Sequence, residues 1–160
     1  MNRPGARSIR SSVSDFTDAG NRLVIIFDGH CGLCNRSVRW FLVRDRNDRL
    51  RFAPSESPKV AAVLARHGCN PAGVADLPDS ILVVRDPDGA KEQLLMRSDA
   101  VLAMLTELPR PWPSVARLLR WIPRPLRDWG YRLIARWRYR IWGRIQECPL
   151  PTPAERERFL

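Results

Sequence analysis

Two cysteines, Cys31 and Cys34, sit three positions apart behind a hydrophobic run and a tight loop: residues 23–34 read Leu-Val-Ile-Ile-Phe-Asp-Gly-His-Cys-Gly-Leu-Cys. If a helix opens at the first of them, both sulfurs fall on one side of its first turn. There they are close enough to close a small disulfide ring. A helix N-terminus offers unpaired amides and about half a positive charge. A thiolate placed there is stabilised, and CxxC cysteines fall from a pKa of about 8.5 to between about 3.5 and 7.5. Cys31, at the helix tip, is then the exposed nucleophile and Cys34, one turn in, the shielded resolving thiol. Attack on a disulfide, a mixed disulfide and displacement by Cys34 complete the cycle.

The neighbours bear on that chemistry. A protonated His30 would lower the pKa of Cys31 further; the bland alternative is an idle loop histidine. Asp28 could accept the Cys34 proton or hold loop amides, or serve only as a turn-forming Asp-Gly. The other candidate chemistry is zinc, since Cys31, Cys34, His67 and Cys69 are four zinc-capable side chains. The His67-Gly-Cys69 spacing is not a second zinc knuckle, and the apolar residues suffice for a core. No metal and no cofactor is therefore expected. Cys148, before Pro149, reads as peripheral.

The elements that must position the site follow from periodicity. Residues 22–27 are apolar on both faces, as in a central strand of a parallel sheet. A helix over about Cys31–Arg46 carries Val38, Phe41 and Leu42 at i, i+3 and i+4. Leu50 and Phe52 alternate with arginines in a second strand. Ser57-Pro58 caps and opens a helix over Lys59–His67, ended by Gly68. Ser80–Arg85 is a third strand, Asp86-Pro87-Asp88-Gly89 a turn and Lys91–Met96 a fourth strand. Ser98 caps a helix with Val101, Leu102 and Leu105, stopped by Pro109. The order β-α-β-α-β-β-α predicts an α/β, thioredoxin- or glutaredoxin-like core with a C-terminal helical extension. Ligands in such sheets bind at the carboxyl ends of the strands, where the Cys31 loop lies. A thioredoxin-like site also expects a cis-proline before the third strand, and Pro78 is the nearest candidate.

The 160 residues fit one core with extensions: a disordered leader at 1–20, the core at 21–109, a basic tryptophan-rich helical extension at 110–146 and a tail at 147–160. Net charge is +10, carried almost wholly by arginine. Residues 110–146 hold ten arginines against the single acid Asp128, with five of the six tryptophans. Pro123 and Pro125 divide this extension into two helices. In the second, Leu126, Trp129, Leu133, Trp137, Ile141 and Ile145 step by i+3 or i+4. The favoured reading packs that stripe on the core, with arginine stems along its edges. The sharper one lays it on an anionic membrane or an acidic partner. Nucleic acid ranks last, as no recognised motif for it is present. No run is long enough to span a membrane and no secretory segment opens the chain, which places it in the cytoplasm, with peripheral membrane contact as the variant.

The string Asp28-Gly-His-Cys31-Gly-Leu-Cys34-Asn35 resembles the DxxCxxC signature of the DCC (DUF393) family of thiol-disulfide oxidoreductases. Residues 51–54, 97–100, 122–128 and 138–140 resemble it too, so the similarity spans about Arg22 to Pro153. The resemblance implies a thioredoxin-like fold, disulfide exchange at Cys31 and Cys34, and a disulfide- or dithiol-bearing protein or small thiol as partner. Arg97, with Ser98 and Asp99, would stand on the rim of the site, as a possible modulator beside His30. The competing function class is a non-catalytic thioredoxin-like binding module that docks through its Arg/Trp tail.

Overall fold

The computed structural model describes residues 22–68, 81–87, 91–143 and 155–160. The expected leader, Cys69, Pro78, Ser80, Ile145, Cys148 and most of the C-terminal tail lie outside the described residues.

Four strands form one mixed sheet in the order β2-β1-β3-β4. β1 (Leu23–Phe27) is wholly buried and lies parallel to β2 (Leu50–Pro54), with Leu23 opposite Leu50. β3 (Leu82–Arg85) runs antiparallel to β1, and β4 (Gln93–Met96) antiparallel to β3. Both strands of this hairpin begin later than the sequence pattern suggests.

Alternation along β1 divides the core. Leu23, Ile25 and Phe27 join α1 (Gly32–Arg44) and α3 (Arg97–Glu107) in one apolar cluster. Val24 and Ile26 face α2 (Pro58–Arg66), where they meet Val60, Val63 and Leu64. The sheet thus lies between two helical layers, which explains why its central strand is apolar throughout. This mixed α/β arrangement is thioredoxin-like.

Local signals act mostly where expected. Pro58 opens α2, and Gly68 takes a left-handed φ of 69° just beyond its end. Ser57 holds the cap position without a side-chain cap hydrogen bond. Ser98 is a correction: Met96 is the residue that caps α3, and Ser98 lies inside the helix with its hydroxyl donated to Asp128. A capping serine accepts a backbone amide, but the helix already starts at Arg97, and the Ser98 hydroxyl acts instead as donor to the Asp128 carboxylate. The turn into β2 is held by Asp45, 1% exposed, whose carboxylate accepts the amides of Arg49 and Leu50, both at 3.0 Å.

The extension forms α4 (Trp112–Leu119) and α5 (Arg124–Trp142). α4 buries Ala116 and sets Trp112 edge-on to Trp40, 4.6 Å between ring centres, with the Arg44 guanidinium over the Trp40 ring. α5 packs on α1 and α3, but turned about its axis from the expected orientation. Leu126, Trp129, Leu133, Trp137 and Ile141 are between 43% and 62% exposed. The bonds that fix the helix to the rest of the fold are made by polar side chains. Arg127 donates to Asp99 at 3.2 Å, Asp128 receives Ser98, and the Tyr131 hydroxyl accepts the Ile81 amide at 3.0 Å. Those fixed partners, together with buried Ala135, orient the helix. At the end of the chain, a 3₁₀ turn at Arg156–Arg158 leads to Phe159, which pairs with Phe52 as an isolated bridge. The Leu160 amide donates to the Phe52 carbonyl at 2.9 Å.

Candidate active site

β1 ends at Phe27 and hands the chain to the Asp28-Gly29-His30 loop. Asp28 Oδ1 accepts the His30 amide at 2.9 Å, and the Asp28 carbonyl accepts the Cys31 amide at 3.3 Å. The Asn35 side chain reaches back from α1 to the carbonyls of Gly29, 2.7 Å, and Cys31, 3.1 Å. Asn35 therefore ties the loop to the helix. Its place at the end of the DxxCxxC string gives no sign of this role.

Cys31 is the N-cap of α1, with extended backbone, and its Sγ accepts the Cys34 amide at 3.3 Å. A sulfur has taken the place usually held by a serine or aspartate oxygen. Both cysteines are free thiols. The Cys34 thiol and then its amide, both hydrogen-bonded to Cys31, bring the Cys31 pKa down to about 6 against the effect of burial, and Arg138 assists. Cys34 moves the other way: its hydrogen bond to Cys31 and its burial push its pKa far up. The same hydrogen bond thus shifts the two thiols in opposite directions.

Cys34 is shielded as expected, 5% exposed, but Cys31 is not the exposed tip: it is 0% exposed. The far end of α5 lies against the neighbouring residue, Gly32. Gly32 donates to the carbonyl of Gly143 at 3.4 Å, and a Cβ on Gly32 would lie 2.5 Å from the Trp142 carbonyl oxygen. Glycine is required here by this close backbone approach.

α5 also brings two side chains that were not picked out as site residues. The Tyr139 hydroxyl donates to Asp28 Oδ2, and Arg138 donates to that hydroxyl at 2.9 Å while lying 3.8 Å from the same carboxylate. Burial and the bond to Asp28 push the Tyr139 pKa up to about 12. Burial works against the Arg138 charge, yet Tyr139 and both cysteines hold it in place, and its pKa is raised. Asp28 thus belongs to a cluster with Arg138 and Tyr139 beside the dithiol. The signal that could have found them is the single Arg138-Tyr139-Arg140 string, which sequence alone leaves on a distant helix.

Other expected residues are placed elsewhere. The His30 ring is exposed and faces Glu56 at 3.9 Å; the cation that acts on Cys31 is Arg138. Arg97 is exposed, with φ 54°, and its charge acts on Asp128. His67 is bonded to Glu92 at 2.8 Å. No cluster of three metal-ligating side chains occurs among the described residues. Beside the dithiol, α1, α3, α4 and α5 enclose a mainly apolar cavity of about 610 Å³. Cys34, Leu33, Val101, Trp129 and Ile134 line it, with Arg127 and Arg138 supplying charge.

The DCC1-like thiol-disulfide oxidoreductase family model matches residues 25–144. The uncharacterised protein YuxK of Bacillus subtilis (strain 168) is 32% identical over 137 residues, 86% of this chain and 93% of that protein. A chloroplastic DCC family protein of Arabidopsis thaliana is 32% identical over 137 residues, 86% of this chain and 74% of its own length. No solved structure matches. With a match across three quarters of its length that takes in the loop, both cysteines and α5, the chain belongs to the DCC1-like thiol-disulfide oxidoreductase family.

Proposed function

We propose that the protein exchanges disulfides through Cys31 and Cys34, acting on disulfide- or dithiol-bearing partners. The observation that carries this reading is the Cys31 sulfur at the N-cap of α1, accepting the Cys34 amide at 3.3 Å, an arrangement that lowers the Cys31 pKa and raises that of Cys34. A scaffold with incidental cysteines has no need of a sulfur N-cap or of a charge cluster beside it.

In the reductive direction, Cys31 Sγ attacks one sulfur of the partner disulfide. That bond breaks, and the other partner sulfur leaves as a thiolate that takes a proton. Cys34 then loses its proton and attacks Cys31 Sγ, releasing the second partner thiol. Two electrons pass from the CxxC pair to the partner, and the reverse sequence oxidises a dithiol. As Cys31 forms the mixed disulfide, its negative charge is removed and the hold on the Cys34 proton weakens. Asp28 then serves as acceptor for that proton, steadied by Tyr139 and Arg138. Because Cys31 is buried, attack requires a local movement that exposes its sulfur.

The test is a glutathione redox titration with mass-spectrometric trapping. A reversible Cys31–Cys34 disulfide is expected. Cys31→Ser abolishes disulfide reduction, and Cys34→Ser accumulates mixed disulfides. A pair that stays reduced across the whole titration would sink the proposal.

A further inference from the structure

We infer that the outer face of α5 docks on an anionic lipid surface, with the helix lying in the plane of the membrane. The face is apolar where it projects furthest: Leu126, Trp129, Leu133, Ile134, Trp137 and Ile141 are all exposed. Along one flank run Arg132, Arg136 and Arg140, exposed and spaced at i, i+4 and i+8, so they form a single row. Arg140 lies over the Trp137 ring at 5.5 Å. The one acid of the helix, Asp128, is turned inward to Ser98.

Charge and shape together select the occupant. A second copy of the chain seated on this face would bring two arginine rows together with no acid between them, which opposes self-association. A nucleic acid would need its bases stacked on aromatic rings and its phosphates on central arginines. Here Leu133 separates the two tryptophans, and of the row only Arg140 stands against an aromatic ring. An apolar ridge with a cationic flank fits the boundary between acyl chains and anionic headgroups. Among the described residues no helix is long and apolar enough to cross a membrane, so the contact is interfacial.

The docking face and the cavity share residues. Leu126, Trp129 and Ile134 line the cavity as well as standing exposed. Seated on lipid, the protein turns the space beside Cys34 toward the membrane. This last consequence rests on the exchange reading, whereas the docking does not.

Flotation of the full chain with phosphatidylcholine vesicles, with and without phosphatidylglycerol, tests the inference at low and high salt. Binding is expected only to the anionic vesicles and is expected to weaken with salt. Replacing Arg132, Arg136 and Arg140 together with Gln weakens it about a hundredfold, since each basic residue near a charged surface contributes about fivefold. Leu133→Glu with Trp137→Glu abolishes binding while the circular dichroism spectrum is kept, both side chains being outward. Cys31→Ser binds as the parent does, which separates docking from exchange. No flotation at low salt overturns the inference, as does binding that ignores the apolar substitutions. So does a concentration-dependent dimer that Leu133→Glu dissolves, or tighter binding to a single-stranded oligonucleotide than to vesicles.

Discussion

The amide of Gly32 donates to the carbonyl of Gly143 across 3.4 Å, so the first turn of α1 is closed by the last residues of α5. Segments more than a hundred residues apart in sequence thereby meet at the residue next to Cys31. The contact offers a direct handle on access to the thiolate. Gly32→Ala places a methyl group 2.5 Å from the Trp142 carbonyl oxygen, a backbone atom that must be displaced. The expected result is a loss of about 1–3 kcal/mol in denaturant unfolding together with faster alkylation of native Cys31. Unchanged alkylation would show that α5 does not govern access.

The Cys31 pKa of about 6 sets a pH profile. Iodoacetamide reaction of the reduced protein should rise through a midpoint near that value. Cys34→Ala removes the largest lowering cause and moves the midpoint well up. Arg138→Gln moves it up by less. The same shift fixes the sign of the stability effect. A depressed folded pKa contributes stability that is fully present above the unfolded value and lost as pH falls through the folded one. Relative to Cys31→Ser, the reduced protein should therefore gain stability from about pH 6 to about pH 9. Above that, Cys34, held protonated in the fold, begins to oppose it. Urea midpoints of the two proteins across this range provide the check.

Asp28→Asn separates proton handling from loop structure. The asparagine keeps an oxygen for the His30 amide but is a poor proton acceptor. Disulfide exchange should slow by about a hundredfold, with Asp28→Glu recovering part of the rate. Tyr139 reports the same change independently. Its pKa, pushed up to about 12, should fall when the carboxylate is gone. Phenolate absorbance against pH reads this directly, and an unmoved tyrosine titration would dissociate Tyr139 from Asp28.

Asp45→Ala tests the fold at a distance from the cysteines. The carboxylate accepts two backbone amides at the entrance to β2, and Arg158 lies 3.6 Å away. A buried donor, the Leu50 amide, and a part-buried one, that of Arg49, lose their partner, so about 1–3 kcal/mol should be lost, read from the urea midpoint. The Cys31 alkylation midpoint should stay where it is.

The CxxC loop, β1 and the alternation of strands and helices were legible because each is a local pattern with a local cause. The extended N-cap at Cys31 and the left-handed Gly68 are of this kind. Ser98 misled because a hydroxyl near a helix start looks like a cap, and its true acceptor, Asp128, lies 30 residues on. The α5 stripe misled for a related reason. Periodicity shows that a helix has two faces but not which one turns inward. Here Arg127, Asp128, Tyr131, Arg138 and Tyr139 find partners on α3, the start of β3 and the Asp28 loop, and those pairings set the rotation. The burial of Cys31 was illegible because it depends on tertiary packing that the local CxxC pattern does not encode.

The pairing of Phe159 with Phe52 has a bearing on solubility. Among the described strands β2 is an outer one, with β1 on one side, and such a strand exposes a template for other chains. Residues 158–160 occupy part of that template: the Leu160 amide takes the Phe52 carbonyl, Arg158 holds the carbonyls of Leu42 and Asp45, and the Phe159 ring lies against Phe27 and Phe52. The chain thus shields one margin of its sheet from intermolecular strand addition, the route by which exposed margins nucleate aggregates.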